Sequence, residues 1–409
     1  MNNITIINIG NELLSGKTLN TSLPFIADKL LKIGFEVSKS HIVPDEIDCI
    51  VDTICNAWKE SLIIIITGGL GPTQDDITRY AVAKFFQKKL IFNEEVYDDI
   101  KKRNFSYKKK LPEINRVQAL IPEGFTVLSN MLGTAPGLMY EEKERTLFCL
   151  QGVPIEMQSM TEKYVIPYIK NKYLRSDFFS CDLNTYGISE SKISELLLDI
   201  VPIENTKIAW LPQTGRVDLR IFGSNISQCE YQTKEIKRRL KKYIWGINQV
   251  SPSCYIHNLL IKNKMTISCA ESCTGGMLTS LLTENAGSSS YLKGSIIAYS
   301  NQAKINLLGV PIEILNKHGA VSKETAHEML LGSEKIFKTD IVCSITGIAG
   351  PTGGNIKKPI GTVYIGVMIK DKIIIEKNFF KGNRHQIRLK STEKLMMILI
   401  NQLDKYSKL

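Results

Sequence analysis

The chain has 409 residues, 43% hydrophobic and 23% charged, with a net charge of +11. That composition allows two or three soluble globular domains and excludes a disordered or fibrous chain. No apolar run reaches the ~18–20 residues of a membrane span, and Met1-Asn2-Asn3-Ile4 lacks the charged start of a signal peptide. The nine cysteines are scattered and never form a Cys-x-x-Cys pair, as in reduced thiols rather than disulfides or a zinc site. A cytoplasmic location with no membrane partner is therefore expected.

In chain order, residues 4–9 predict a strand that Gly10 breaks. Ile26, Leu30 and Leu31 recur at helical spacing, and residues 35–43 form a second strand ending at Pro44-Asp45. A helix over 48–58 leads into the β-branched strand 62–66. This alternation predicts right-handed βαβ units and a mostly parallel sheet over residues 1–168.

At the end of strand 62–66 the chain turns on Thr67-Gly68-Gly69-Leu70-Gly71-Pro72-Thr73, then meets Asp75 and Asp76. Glycine-rich turns at strand ends deliver backbone N–H groups to anions, so Thr67, Gly68, Gly69, Gly71 and Thr73 are candidate phosphate contacts. Carboxylates beside a phosphate need a divalent cation between them, so Asp75 and Asp76 are candidate metal ligands. Glu12, on the same sheet edge, is a third. The plainer alternative for the aspartates is helix N-terminal charge.

Residues 169–250 read as a small α+β module, with strands at 180–186, 207–211 and 217–222 and helices at 190–200 and 227–243. It gathers no nucleophile, base and anion loop, which leaves a spacer or dimerisation role; the chain is expected to be a homodimer. The lysine clusters at 101–103, 108–110 and 237–242 raise a nucleic-acid reading. They lie on helical, solvated stretches, so dedicated nucleic-acid binding is not expected.

The last unit, 251–409, begins with a helix end at 256–263 and a strand at 265–270. A turn on Ser272, Gly275 and Gly276 follows, the two glycines being candidate substrate contacts, then a helix at 277–283. Strands at 294–298 and 340–346, a hairpin at 362–369 and 373–379, and a helix at 386–403 complete it. Ser272 on a strand-to-helix turn is a candidate nucleophile, or otherwise a helix cap. No histidine is well placed as its base, so Lys304 is the candidate once burial lowers its pKa. Tyr299 would orient the proton, and Cys273 is a rival nucleophile. Ser289, within Gly287-Ser288-Ser289-Ser290, suits a substrate phosphate or amide. Thr346 and Gly347, in a second glycine-rich turn that echoes 66–73, would stabilise an oxyanion or hold phosphate. Arg384 and Arg388 are fork donors for a phosphate.

These segments carry a resemblance. Residues 10–16, 67–76 and 130–137 are similar to the amino-terminal domain of the CinA (competence/damage-inducible) family. That resemblance implies a molybdopterin-binding-like fold and metal-dependent ADP-ribose pyrophosphatase activity. Residues 270–276, 298–304, 346–351 and 382–388 resemble the family's carboxy-terminal domain. That match implies an α/β amidohydrolase that deamidates nicotinamide mononucleotide. Asn11 stands where the family usually has Asp, which removes a charge from the metal site. Gln151 stands where Pro is usual, which alters a turn. The expected substrates are thus nicotinamide mononucleotide and ADP-ribose, with a divalent metal cation at the amino-terminal site and no cofactor at the other. The rival expectation is a non-catalytic binding protein whose sites have decayed.

Overall fold

Four consecutive isoleucines, Ile63 to Ile66, are fully buried, which only a strand covered on both faces allows. A computed structural model describes residues 3–105, 112–173, 178–200, 205–213 and 215–406. The lysines at 108–110 lie outside the described residues. The chain divides into two compact units, Met1–Ser180 with Gly223–Ile226, and Cys181–Phe222 with Ser227–Leu409. The middle module therefore groups with the carboxy-terminal part.

The first unit has strands β1 (Ile4–Ile9), β2 (Val37–Val43), β3 (Ile63–Thr67), β4 (Leu90–Phe92), β5 (Leu120–Pro122), β6 (Thr126–Leu128), β7 (Gly137–Glu142) and β8 (Arg145–Leu150). Six of them form one sheet in the order β2-β1-β3-β8-β7-β6. The β1/β2, β1/β3 and β3/β8 pairs are parallel, whereas β6/β7 and β7/β8 are antiparallel, so the sheet is mixed. Alternation along β3 sends Ile64 and Ile66 into one core and Ile63 and Ile65 into the other. The helix Ile47–Glu60 covers the first face with Ile50, Ile54 and Ala57.

In the second unit, β9 (Phe179–Thr185), β10 (Thr206–Gln213), β11 (Arg216–Gly223) and β12 (Ile244–Ile247) form a sheet in the order β10-β11-β9-β12. With the helices Glu190–Leu196 and Ile226–Leu240 between them, this is a split βαβ arrangement. The carboxy-terminal strands are β13 (Ile267–Glu271), β14 (Leu292–Ile297), β15 (Ile341–Gly347), β16 (Thr362–Ile369) and β17 (Lys372–Phe379), in the order β14-β13-β15-β16-β17. β13 runs parallel to both neighbours, and β16 is antiparallel to both β15 and β17. The closing helix runs Arg384–Tyr406, longer at both ends than its apolar periodicity predicts. It buries Leu395, Leu399 and Leu403 in the core under this sheet. Arg216 of β11 lies 3.8 Å from Glu393 of that helix, joining the middle module to the element that begins with Arg384 and Arg388. No helix among the described residues is long and apolar enough to cross a membrane.

Candidate active site

Ser272 follows β13 directly, and its N–H donates to the Ile345 carbonyl at 2.9 Å, which fixes it at the carboxyl ends of β13 and β15. The chain can turn there because Gly275 (φ 58°) and Gly276 (φ 90°) take left-handed backbone conformations. Lys304 arrives from a different segment. Ser300 caps the helix Asn301–Leu308 by accepting from the Ala303 N–H at 3.0 Å, and Lys304 stands in that helix's first turns. Its Nζ lies 2.9 Å from Ser272 Oγ, 2.8 Å from the Ala298 carbonyl and 3.4 Å from the Tyr299 carbonyl. Lys304 is 1% exposed, and burial lowers its pKa because the ammonium is the form that loses hydration. The two side chains singled out as nucleophile and base are thus brought together. Burial pushes the Cys273 thiol up to about 12, so the rival nucleophile is held as an inert thiol.

Several side chains do other work than their sequence context implies. The Tyr299 phenol points away from the amine and accepts from Arg384 at 2.6 Å; its carbonyl, not its hydroxyl, faces Lys304. Arg384 also donates to the Gly350 carbonyl at 2.5 Å, and Arg388 donates to the Thr274 carbonyl at 2.7 and 3.2 Å. Both guanidinium groups therefore brace loops around the site. The Thr346 hydroxyl is buried and donates to the Ala320 carbonyl at 2.7 Å, so it is not an oxyanion or phosphate donor. Gly347 is small for packing reasons: a Cβ there would lie 2.7 Å from Val363. The Gly275 N–H closes the turn on the Ser272 carbonyl, and the Gly276 N–H donates to the Glu271 carboxylate at 3.0 Å, so neither N–H faces a ligand. Ser289 is misplaced by the sequence reading. The residues just before β14 lie beside Ile267, whereas the far end of β14 pairs with Glu271. Within one chain Ser289 therefore sits at the opposite edge of the sheet from Ser272, because a parallel crossover returns the chain to the starting edge.

In the first unit the glycine loop leaves β3 with Gly68 (φ 102°) and Gly69 (φ 68°). A Cβ on Gly68 would lie 2.4 Å from the Ile9 carbonyl oxygen, so only glycine lets β1 and the loop approach. The Thr67 hydroxyl is buried and donates to Asn8 at 3.1 Å, which removes it from the candidate phosphate contacts. Arg79, 2% exposed, lies beneath the loop and donates to the carbonyls of Leu70, Gly71 and Val117. Asp76 accepts from the Thr73 N–H at 2.9 Å and from its hydroxyl at 2.5 Å, close against Gly71. Asp75 is exposed, and Glu12 folds back over Gly10. Among the described residues no three acidic, histidine or cysteine side chains gather in a way that could hold an ion, so Glu12 does not join Asp75 and Asp76 as a preformed set. The donors present fit a magnesium-type ion, which takes one or two carboxylates and the substrate's own phosphate oxygens rather than a closed protein cage.

The segment 130–137 ends on this same carboxyl edge, since β6 runs in the direction of β8. Asn130 shapes it by accepting from the N–H groups of Leu132 and Gly133, both at 3.1 Å, and the segment forms one wall of a cavity of about 310 Å³. Gln151 does more than alter a turn: its buried amide donates to the carbonyls of Ala135 and Pro136, pinning this segment to the end of β8. Sequence reasoning missed Arg79 and the parts played by Gln151 and Glu271. For Glu271 the available signal was a carboxylate at a strand end, a few residues ahead of the Gly275-Gly276 helix start.

Residues 251–403 match the family described as "CinA C-terminal domain", residues 5–171 "Probable molybdopterin binding domain", and residues 180–246 "Damage-inducible protein CinA KH domain". A CinA-like protein of Kosmotoga olearia is 42% identical over 390 residues, covering 94% of each chain. A putative competence-damage inducible protein of Clostridium beijerinckii is 40% identical over 395 residues, covering 95% of this chain and 96% of its own. A solved structure from Thermoplasma acidophilum, described as the protein CinA with unknown function, is 32% identical, with a TM-score of 0.38. It covers 42% of this chain and 98% of its own.

Proposed function

The chain belongs to the CinA family, and from that premise we propose that it is a hydrolase of pyridine nucleotides with two separate sites. The carboxy-terminal unit deamidates nicotinamide mononucleotide to the acid and ammonia. The observation that carries this reading is the 2.9 Å contact between a buried lysine amine and a serine hydroxyl.

A neutral amine has two hydrogens and one lone pair. With the Ala298 and Tyr299 carbonyls accepting the hydrogens, the lone pair of Lys304 is aimed at the remaining neighbour, Ser272 Oγ. Lys304 then removes the hydroxyl proton as Ser272 attacks the carboxamide carbon. The amide nitrogen leaves as ammonia, taking that proton, and water repeats the sequence on the acyl-serine to release the acid. Arg384 and Tyr299, both exposed, are the groups that would meet the nucleotide's phosphate and sugar. Incubation of the purified protein with nicotinamide mononucleotide should release ammonia, and Ser272→Ala should abolish that release. Absence of ammonia from the wild-type protein, or full release by Ser272→Ala, refutes the assignment.

For the amino-terminal unit we infer hydrolysis of an ADP-ribose-type pyrophosphate, with Asp75 and Asp76 as the residues that would hold a divalent cation. That ion would supply charge neutralisation between carboxylate and phosphate. A second reading, binding without turnover, draws on the separation of Glu12 from the two aspartates and on Asn11. Calorimetric titration with ADP-ribose and magnesium separates the two: heat of binding with no product supports the second.

A further inference from the structure

The turn that carries Ser272 is held by a charged group with no part in the chemistry above. Glu271, the last residue of β13, is fully buried. Its carboxylate accepts from the N–H groups of Gly276 (3.0 Å), Leu278 (3.2 Å) and Thr279 (2.9 Å), and from the Thr279 hydroxyl (2.6 Å). These are donors that the start of a helix otherwise leaves unpaired. A buried carboxylate is tolerable only when its lone pairs are met in this way. From the other side, Arg388 holds the Thr274 carbonyl. The turn is thus clamped by an anion at its last N–H, Gly276, and at the helix start that follows, and by a cation at the Thr274 carbonyl.

We propose that Glu271 is a positioning residue, a buried carboxylate that fixes the Ser272–Gly276 turn against the following helix and so keeps Ser272 Oγ within reach of Lys304. This rests on the reading of Ser272 and Lys304 as the reacting pair. The Gly276 N–H is spent on this carboxylate, and the Ser272 and Gly275 N–H groups are spent on the Ile345 and Ser272 carbonyls. Loss of the carboxylate frees the turn to shift, and a displacement near 1 Å at a reacting atom costs on the order of 10²-fold in rate.

The test uses the full-length protein with Glu271→Ala and Glu271→Gln, following ammonia release from nicotinamide mononucleotide with thermal unfolding measured in parallel. For Glu271→Ala, kcat should fall roughly 10- to 100-fold with KM near the wild-type value. Added formate, a small carboxylate that fits the vacated space, should recover part of the lost kcat. Glu271→Gln keeps the volume and one acceptor oxygen but turns an amide donor toward the helix donors. It should fold, show the same split between kcat and KM, and gain nothing from formate. Wild-type kcat in either variant overturns the proposal, as does formate that raises the unfolding temperature of Glu271→Ala while leaving kcat low, which marks a purely structural role. A wild-type protein that releases no ammonia refutes the functional reading instead, and the proposal falls with it.

Discussion

Lys304 and Ser272 are thirty-two residues apart in sequence, yet a buried amine and a hydroxyl meet at 2.9 Å between the ends of two neighbouring strands. The helix cap at Ser300 supplies one half of the meeting and the glycine turn at 275–276 the other. Among the described residues neither side chain has another side chain to satisfy it there; the remaining amine contacts are backbone carbonyls.

Lys304→Met preserves the buried volume and removes the amine. Deamidation should fall by roughly 10²- to 10⁴-fold, the usual contribution of a positioned base. Stability should hold or rise, because a buried polar amine is replaced by an apolar group of similar volume. Ammonia release and urea unfolding of the same preparation check both.

The pH dependence has a definite sign. The amine's ordinary value is 10.5, and burial lowers it in the folded chain. Below the folded value both states hold the proton and the burial penalty is felt in full. Between that value and 10.5 only the unfolded chain holds it, so stability gains with rising pH across this window. The rate should rise with pH along a limb that lies below 10.5, as the neutral amine becomes populated. Unfolding free energies of the wild type and Lys304→Met across that range should differ with this slope, and kcat/KM should follow the same limb.

Thr346→Val separates two roles. An oxyanion donor would cost about 10²- to 10³-fold in kcat. The hydroxyl instead donates to the Ala320 carbonyl, so the expected loss is about 1 kcal/mol of stability with little change in kcat. Ser289→Ala, at the far edge of the sheet, should leave kcat/KM within about twofold. Steady-state kinetics with nicotinamide mononucleotide decides each.

Chelation should divide the two activities. Removing divalent cations with EDTA should stop hydrolysis of ADP-ribose and leave ammonia release untouched, since the serine–lysine chemistry uses only side chains. Equal loss of both would tie the carboxy-terminal site to a metal as well.

Gly68→Ala tests the amino-terminal loop. The position combines a φ of 102° with a 2.4 Å approach of the new Cβ to the Ile9 carbonyl. A cost of at least ~1–3 kcal/mol is expected from the backbone conformation alone. Thermal unfolding of the full chain measures it.

Apolar periodicity was enough to locate the strands that carry both sites, because an element covered on two faces, such as Ile63–Ile66, must be continuous in its hydrophobicity. The same local logic placed Ser272 and the glycine loop on strand ends, since glycine takes positive φ at the least steric cost. It selected Lys304 by elimination, with no information on what the amine would touch. Sequence could not assign hydrogen-bond partners. Thr67 and Thr346 read as free hydroxyls in glycine-rich turns, but Asn8 and the Ala320 carbonyl, distant in sequence, claim them. Ser289 read as a neighbour of the site until the return of β14 carried it to the opposite edge. Residue types and turns are settled by neighbours along the chain. Whether a donor is spent or available is settled by a competition among groups that only folding brings together.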